Sequence, residues 1–268
     1  MAGNLLNGLR AAIAFLTTLP VRIVDGDYDA FADRQYLFIP VAIVTGLLLG
    51  VAGTLFQCIL PAPFAAVLTV ACIFLLTGIN HLDGLSDFGD GLIASGPREK
   101  KVRAMKDVHA GAGGLLFMAM DLLFLFALAM TFAGSPTWLF VPLLVAEGCA
   151  KVAQITIIAF GKSAHEGMGS YMIARMKKEH YLAAVIGAWI AIGIAIIGAA
   201  IIPGGGNPLR VIMAGGLAML SPLAVALIIL IISDRNFGGV NGDVIGAANE
   251  IARIAALGVM GAVLWMRF

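Results

Sequence analysis

Residues 81–91 read HLDGLSDFGDG and set Asp83, Asp87 and Asp90 directly behind residues 64–80, a run of apolar side chains. If the segment is helical, spacings of four, three and seven residues bring all three carboxylates onto one face. Such a face repels itself unless a cation sits among the acids. Gly84, Gly89 and Gly91 are weak helix formers that permit close backbone approach, which suits a surface that receives a ligand. Oxygen-only ligands favour Mg²⁺, Mn²⁺ or Ca²⁺ over zinc, and Mg²⁺ commonly bridges a few carboxylates to substrate phosphates. The plainer alternative is a solvated acidic loop that ends a span.

Outward from this stretch the chain is greasy. Of its 268 residues 60% are hydrophobic and 12% charged, against about 25% charged in an average soluble domain, which marks a membrane protein. A bilayer core takes about 20 apolar residues per helix. Seven runs meet or approach that length, at 38–60, 64–80, 113–133, 138–160, 182–202, 211–232 and 244–266, and the second can continue toward Leu85. The expectation is an all-α, polytopic integral membrane bundle of about seven transmembrane helices, forming a single domain over residues 1–268. The N-terminal MAGNLLNGLRAAIAFLTTLPVR lacks a basic leader and an obvious cleavage site, so it reads as a retained interfacial or re-entrant helix. Cys58, Cys72 and Cys149 lie inside apolar runs without CxxC spacing and read as buried thiols, neither disulfides nor a zinc site.

The connections divide into two kinds. Those at 61–63, 134–137 and 203–208 are short and nearly uncharged, whereas 81–112 carries Arg98, Lys100, Lys101, Arg103 and Lys106, and 161–181 carries Lys162, Arg175, Lys177 and Lys178. The positive-inside rule puts the basic set in the cytoplasm, with the N-terminus inside, Phe268 outside and the polar clusters at the cytoplasmic face of the cell membrane. The net charge of +1 by itself says nothing about nucleic acid, and with the 17 basic residues spread over separate loops and no basic tail or aromatic-basic patch, no nucleic-acid partner is expected.

Two further clusters belong to that face. Cationic side chains from Arg98 to Lys106 follow the aspartates, with Asp107, His109 and a flexible GAGG at 111–114 behind them. Carboxylates for a metal beside Lys and Arg for phosphate oxygens is the arrangement phosphoryl transfer uses. Lys106 and Asp107 are the candidate catalytic members here, with Lys100, Lys101 and His109 as substrate contacts; simple topology signalling is the competing explanation for the basic residues. The second cluster, NFGGVNGDVIGAANEIAR, opens the last span with Asn241 and Asp243 in a glycine-rich turn and Glu250 on the same helical face. Glu147 and Lys151 form an i,i+4 pair that reads as mutual neutralisation within lipid, and Asp121 is an isolated intramembrane acid. His165 and Glu166 lie among small residues in GKSAHEGMGS, suited to gripping a substrate.

FLTTLPV at 15–21, HLDGLSDFGDGL at 81–92, RAMKDVHAGAGGL at 103–115 and GGVNGDVIGAANEI at 238–251 together resemble, in order and spacing, the cobalamin synthase family, also called adenosylcobinamide-GDP ribazoletransferase or cobalamin-5′-phosphate synthase. Asn241 stands where the family commonly has Thr, and Val108-His109 where it often has Ser-Arg. The resemblance implies a Mg²⁺-dependent reaction joining adenosylcobinamide-GDP to α-ribazole or its 5′-phosphate, with release of GMP, in the assembly of the nucleotide loop of vitamin B12. In that chemistry the ribazole 3′-hydroxyl attacks the phosphate attached to cobinamide. Asp83, Asp87 and Asp90 would hold one or two Mg²⁺ ions on the diphosphate, with Asp243 completing the metal set. Lys106 would neutralise phosphate charge, and Asp107 would orient it or accept the hydroxyl proton. His109, His165, Asn241 and Glu250 would contact substrate, together with Lys100 and Lys101. A homo-oligomer, or association with other enzymes of the corrinoid pathway, is left open.

Two other classes compete. An ion or metal transporter also puts carboxylates in a helical bundle, but it needs polar groups at mid-depth along several spans, and only Asp121, Glu147 and Lys151 come close. A CDP-alcohol phosphotransferase of lipid synthesis shares aspartates at a membrane face, yet its motif resembles DGxxAR, and DGLSDFGDG lacks the Ala-Arg.

Overall fold

The computed structural model describes residues 2–133, 136–201 and 207–266, the backbone alone at 2–4 and 136–138. Two of the three expected uncharged connections, and Phe268, fall wholly or partly outside the described residues. Among those residues the regular elements are helices, joined by short loops and with a single isolated parallel bridge between Ser163 and Val240.

The helices are α1 (Ala2–Leu16), α2 (Asp27–Ala32), α3 (Phe38–Ile59), α4 (Ala62–Thr77), α5 (Asn80–Ile93), α6 (Arg98–Met105) and α7 (Ala112–Thr131). They continue as α8 (Pro136–Phe160), α9 (Met168–Arg175), α10 (Lys178–Ile201), α11 (Pro208–Ala218), α12 (Ser221–Phe237) and α13 (Gly242–Trp265). Six stretches are long and apolar enough to cross a membrane, and a seventh is reached only where α4 and α5, bent by 97°, are counted as one broken span, so the sequence's count of about seven is the upper value. The run at 211–232 is divided between α11 and α12. The protein is therefore a multi-pass helical membrane bundle.

Prolines and glycines set the breaks. Pro61 and Pro63 open α4, where a missing N–H costs nothing. The helix does not run on toward Leu85. It stops at Thr77 because Gly78 takes a positive φ of 75°, and α5 leaves at 97° to α4. That bend turns α5 off the line of α4, and α5 with its three carboxylates packs on α13 and α7.

At the centre stands α8, packed on α3, α10, α12 and α13. Its approach to α3 uses Gly46, Gly50 and Gly53; a Cβ on Gly46 would fall 2.8 Å from the Leu144 Cα. Two apolar clusters fill the interior, one including Val152, Ala153, Val244 and Ala248, the other Val145, Ala146, Cys149 and Ala256. Helix α10 turns Ile186, Ile190, Ile194 and Ile197 outward, as a lipid-facing helix does. The N-terminal α1, at 15 residues too short to span, buries Ala11, Ala12 and Leu16 and is tied to α2 by Arg10, whose Nε lies 2.7 Å from the buried Asp27 carboxylate. All three cysteines are free; Cys149 is buried, Cys72 partly so and Cys58 exposed.

Candidate active site

Helix α5 carries Asp83, Asp87 and Asp90 on one face, while Leu85 and Phe88 point the other way into the core. Asp90 is a brace as well as an acid. Its carboxylate accepts from the Gly111 N–H at 2.7 Å and the Gly114 N–H at 2.9 Å, satisfying donors at the exposed start of α7. The GAGG run is required by this contact: a Cβ on Gly114 would lie 2.3 Å from Ser86 Oγ and 2.6 Å from Asp90 Oδ2.

The start of α13 meets the same face. A Cβ on Gly84 would come 3.0 Å from both Cα and O of Asp243, so the two motifs touch through backbone. Asn241 caps α13, its Oδ1 accepting from the Val244 N–H at 3.0 Å while its Nδ2 donates to Asp243 Oδ2 at 2.8 Å and to Met105 Sδ at 3.3 Å. Asp83, Lys106 and His165 all lie within electrostatic reach of Asp243. His165 arrives on the loop that leaves α8. That loop is stitched to the α12–α13 turn by Val240 N–H to Lys162 O at 2.8 Å and Ala164 N–H to Val240 O at 2.9 Å.

Electrostatically the cluster is under-compensated. Burial, then the charges of Asp243, Asp83 and Asp90, push the Asp87 carboxyl up to about 7. Oxygen-only donors with unrelieved repulsion fit a hard divalent cation. Among the described residues no three of His, Cys, Asp or Glu close on one point as a ready-made metal cage. Mg²⁺ does not ask for one, since it is commonly held by one or two carboxylates plus water and phosphate oxygens.

Several expected residues lie elsewhere. Lys101 donates to Asn236 Oδ1 at 2.9 Å and to the Leu92 carbonyl, fastening α6 to the end of α12, and Lys100 is exposed on α6. Asp107 and His109 face solvent and bond each other, with 3.1 Å between Asp107 Oδ1 and His109 Nδ1; those hydrogen bonds hold Asp107 below the usual carboxylate range. Glu250 lies in the core, bonded to Arg253 and Asn249. Glu147 and Lys151 lie within favourable reach of each other's charge, as expected, but their hydrogen bonds come from α13: Arg253 Nε donates to Glu147 at 2.6 Å, and Lys151 donates to Asn249. Met105, Ser86 and Arg253 join this set from the structure alone. Only Arg253, an arginine three residues after a buried glutamate, carries a readable signal in the sequence.

A family model described as cobalamin-5-phosphate synthase matches residues 8–261. The chain belongs to that family. Among its relatives are the adenosylcobinamide-GDP ribazoletransferase of Methanococcoides burtonii, 37% identical, with 97% of this chain and 93% of the relative covered, and that of Methanosarcina barkeri, 36% identical, with 95% and 91% covered. One from Halorubrum lacusprofundi is 34% identical over 98% of this chain and 100% of its own. No solved structure matches. Membership in the cobalamin-5-phosphate synthase family leaves the transporter and lipid-transferase classes without support, and three of the four motifs, those at 81–92, 103–115 and 238–251, contribute residues that meet at this site.

Proposed function

We propose that the protein is a transferase of late cobalamin assembly, joining adenosylcobinamide-GDP to α-ribazole or α-ribazole 5′-phosphate and releasing GMP. The observation that carries this is the near full-length match to relatives named for that activity. The meeting of the α5 and α13 motifs through Gly84 and Asp243 adds to it. On this reading the site lies at the cytoplasmic face of the cell membrane, with the N-terminus inside, since the basic connections 81–112 and 161–181 flank it.

Asp83 and Asp243, with Asp87 beside them, would hold Mg²⁺ on the diphosphate. The metal would supply charge neutralisation at the phosphate oxygens and at the departing GMP. Lys106 lies within electrostatic reach of Asp243 and would grip a phosphate oxygen, and His165 would approach from the loop after α8. In the transfer the ribose 3′-oxygen forms a bond to the phosphorus attached to cobinamide, the bond from that phosphorus to GMP oxygen breaks, and the hydroxyl proton passes to a base. Asp107, held acidic by His109, is poorly suited to that task. Asp87, with a carboxyl near neutrality, suits it better. Asn241 holds Asp243 in place and caps α13.

The test is incubation of the detergent-purified protein with adenosylcobinamide-GDP, α-ribazole and Mg²⁺, following corrinoid product by mass spectrometry. Product formation with stoichiometric GMP supports the reading, and a folded protein that forms none under varied metal and lipid overturns it.

A further inference from the structure

Roughly 10 Å beneath the aspartates, two helical turns down α13, five buried side chains close a ring. Lys151 on α8 donates to Asn249 on α13, Asn249 donates to Glu250, Arg253 donates to Glu250, and Arg253 Nε returns to Glu147 on α8. Both ends of the chain of bonds thus stand on α8, one turn apart. All five residues are no more than 1% exposed. Around them lie His81 of α5 and Asp121 of α7, the first within reach of the charges of Lys151 and Arg253, the second within reach of Arg253 and Glu250.

Stability alone does not account for the ring. Buried ion pairs are often matched or bettered by apolar residues of similar volume, and ionisable groups within a membrane are expensive. The apolar surface around the ring is poor at fixing register, because α13 buries Gly246, Ala247, Ala248, Ala252 and Ala256 there, residues with little to interlock. The ring sits at the seam between the two apolar clusters, on the two helices whose ends make the site: α13 starts at Asn241 and Asp243, and α8 runs out into the loop that carries His165.

We propose that this ring is the register device of the site. Arg253 and Glu147 fix the rotation and axial position of α13 against α8, and so set Asp243 against Gly84 and the α5 carboxylates. They are positioning residues, remote from the reacting atoms, and Glu250 belongs with them. The inference rests on the transferase reading for its catalytic consequence, though not for its effect on metal binding.

The test uses Arg253→Lys, which keeps the charge but loses the two-pronged fork, and a fivefold apolar variant, Glu147→Met, Lys151→Met, Asn249→Leu, Glu250→Met and Arg253→Met. Mn²⁺ binding by electron paramagnetic resonance and steady-state turnover are measured on each full-length protein in detergent. Both variants are expected to fold, the apolar one melting no lower than wild type. Both should bind Mn²⁺ about 10-fold or more weakly, and kcat should fall about 100-fold with little change in KM for adenosylcobinamide-GDP. A folded variant of either kind with wild-type Mn²⁺ affinity and kcat overturns the proposal. Failure of Arg253→Lys to fold overturns it too, by making the ring a stability element; if only the fivefold variant fails to fold, Arg253→Lys decides. A wild type that binds Mn²⁺ but forms no product refutes the transferase reading instead, and the Mn²⁺ arm then decides alone.

Discussion

Gly84 and Asp243 touch through their backbones, and that contact joins the two acidic motifs of the chain. A methyl group on Gly84 would be crowded, since the atoms it would meet at 3.0 Å are backbone, Asp243 Cα and O, and α13 would have to give way by a few tenths of an ångström. Gly84→Ala is therefore expected to push α13 off α5, destabilising the protein by about 1–3 kcal/mol and lowering turnover by a larger factor than the stability loss alone explains. Thermal unfolding and kinetics on the same preparation check this.

Asp90 serves α7 more than chemistry in its present contacts. Asp90→Ala leaves the N–H groups of Gly111 and Gly114 without their acceptor and should cost about 1 kcal/mol of stability. Asp90→Asn keeps one acceptor oxygen and should lose less. A melting series of the two variants gives the order directly.

Asn241→Thr should remain active, because a threonine oxygen can still cap Val244, whereas Asn241→Ala frees both the α13 terminus and the Asp243 carboxylate. The alanine variant is expected to show a raised Mg²⁺ requirement, read from a metal titration of turnover.

Asp87 has to be ionised whether it ligates metal or takes the proton. Its carboxyl is raised to about 7 by burial and by Asp243, Asp83 and Asp90. At limiting Mg²⁺, kcat/KM should therefore fall as pH drops through about 7, roughly tenfold per unit below it. Saturating Mg²⁺ shifts that limb to lower pH if Asp87 ligates the metal and leaves it in place if Asp87 is the base. Stability runs the opposite way. A raised folded pKa favours the protonated protein, so in chelator the stabilisation is full below the unfolded value and is lost as pH rises through about 7.

The sequence and the structure agree where spacing alone decides the outcome. Four- and three-residue steps make Asp83, Asp87 and Asp90 one face as soon as the segment is helical, and the apolar runs locate the spans because length and hydropathy are sufficient. The turn at Gly78 was less visible, since a glycine after an apolar run serves both a helix end and a packed span. Glu147 and Lys151 look self-sufficient as an i,i+4 pair, and their charges do favour each other, but their hydrogen bonds go elsewhere. Their partners Arg253 and Asn249 come from about a hundred residues away, and only packing of α8 on α13 introduces them. The bracing of α7 by Asp90 left no signature, because its partners are backbone N–H groups.

The most direct measurement compares Mg²⁺-dependent GMP release by wild type, Asp83→Asn and Asp87→Asn, each shown to be folded. The expected result is product from wild type that disappears without Mg²⁺, and a fall of about 10³-fold or more in both variants. Wild-type rates in the folded Asp83→Asn and Asp87→Asn proteins would contradict the assignment of the α5 face to the chemistry.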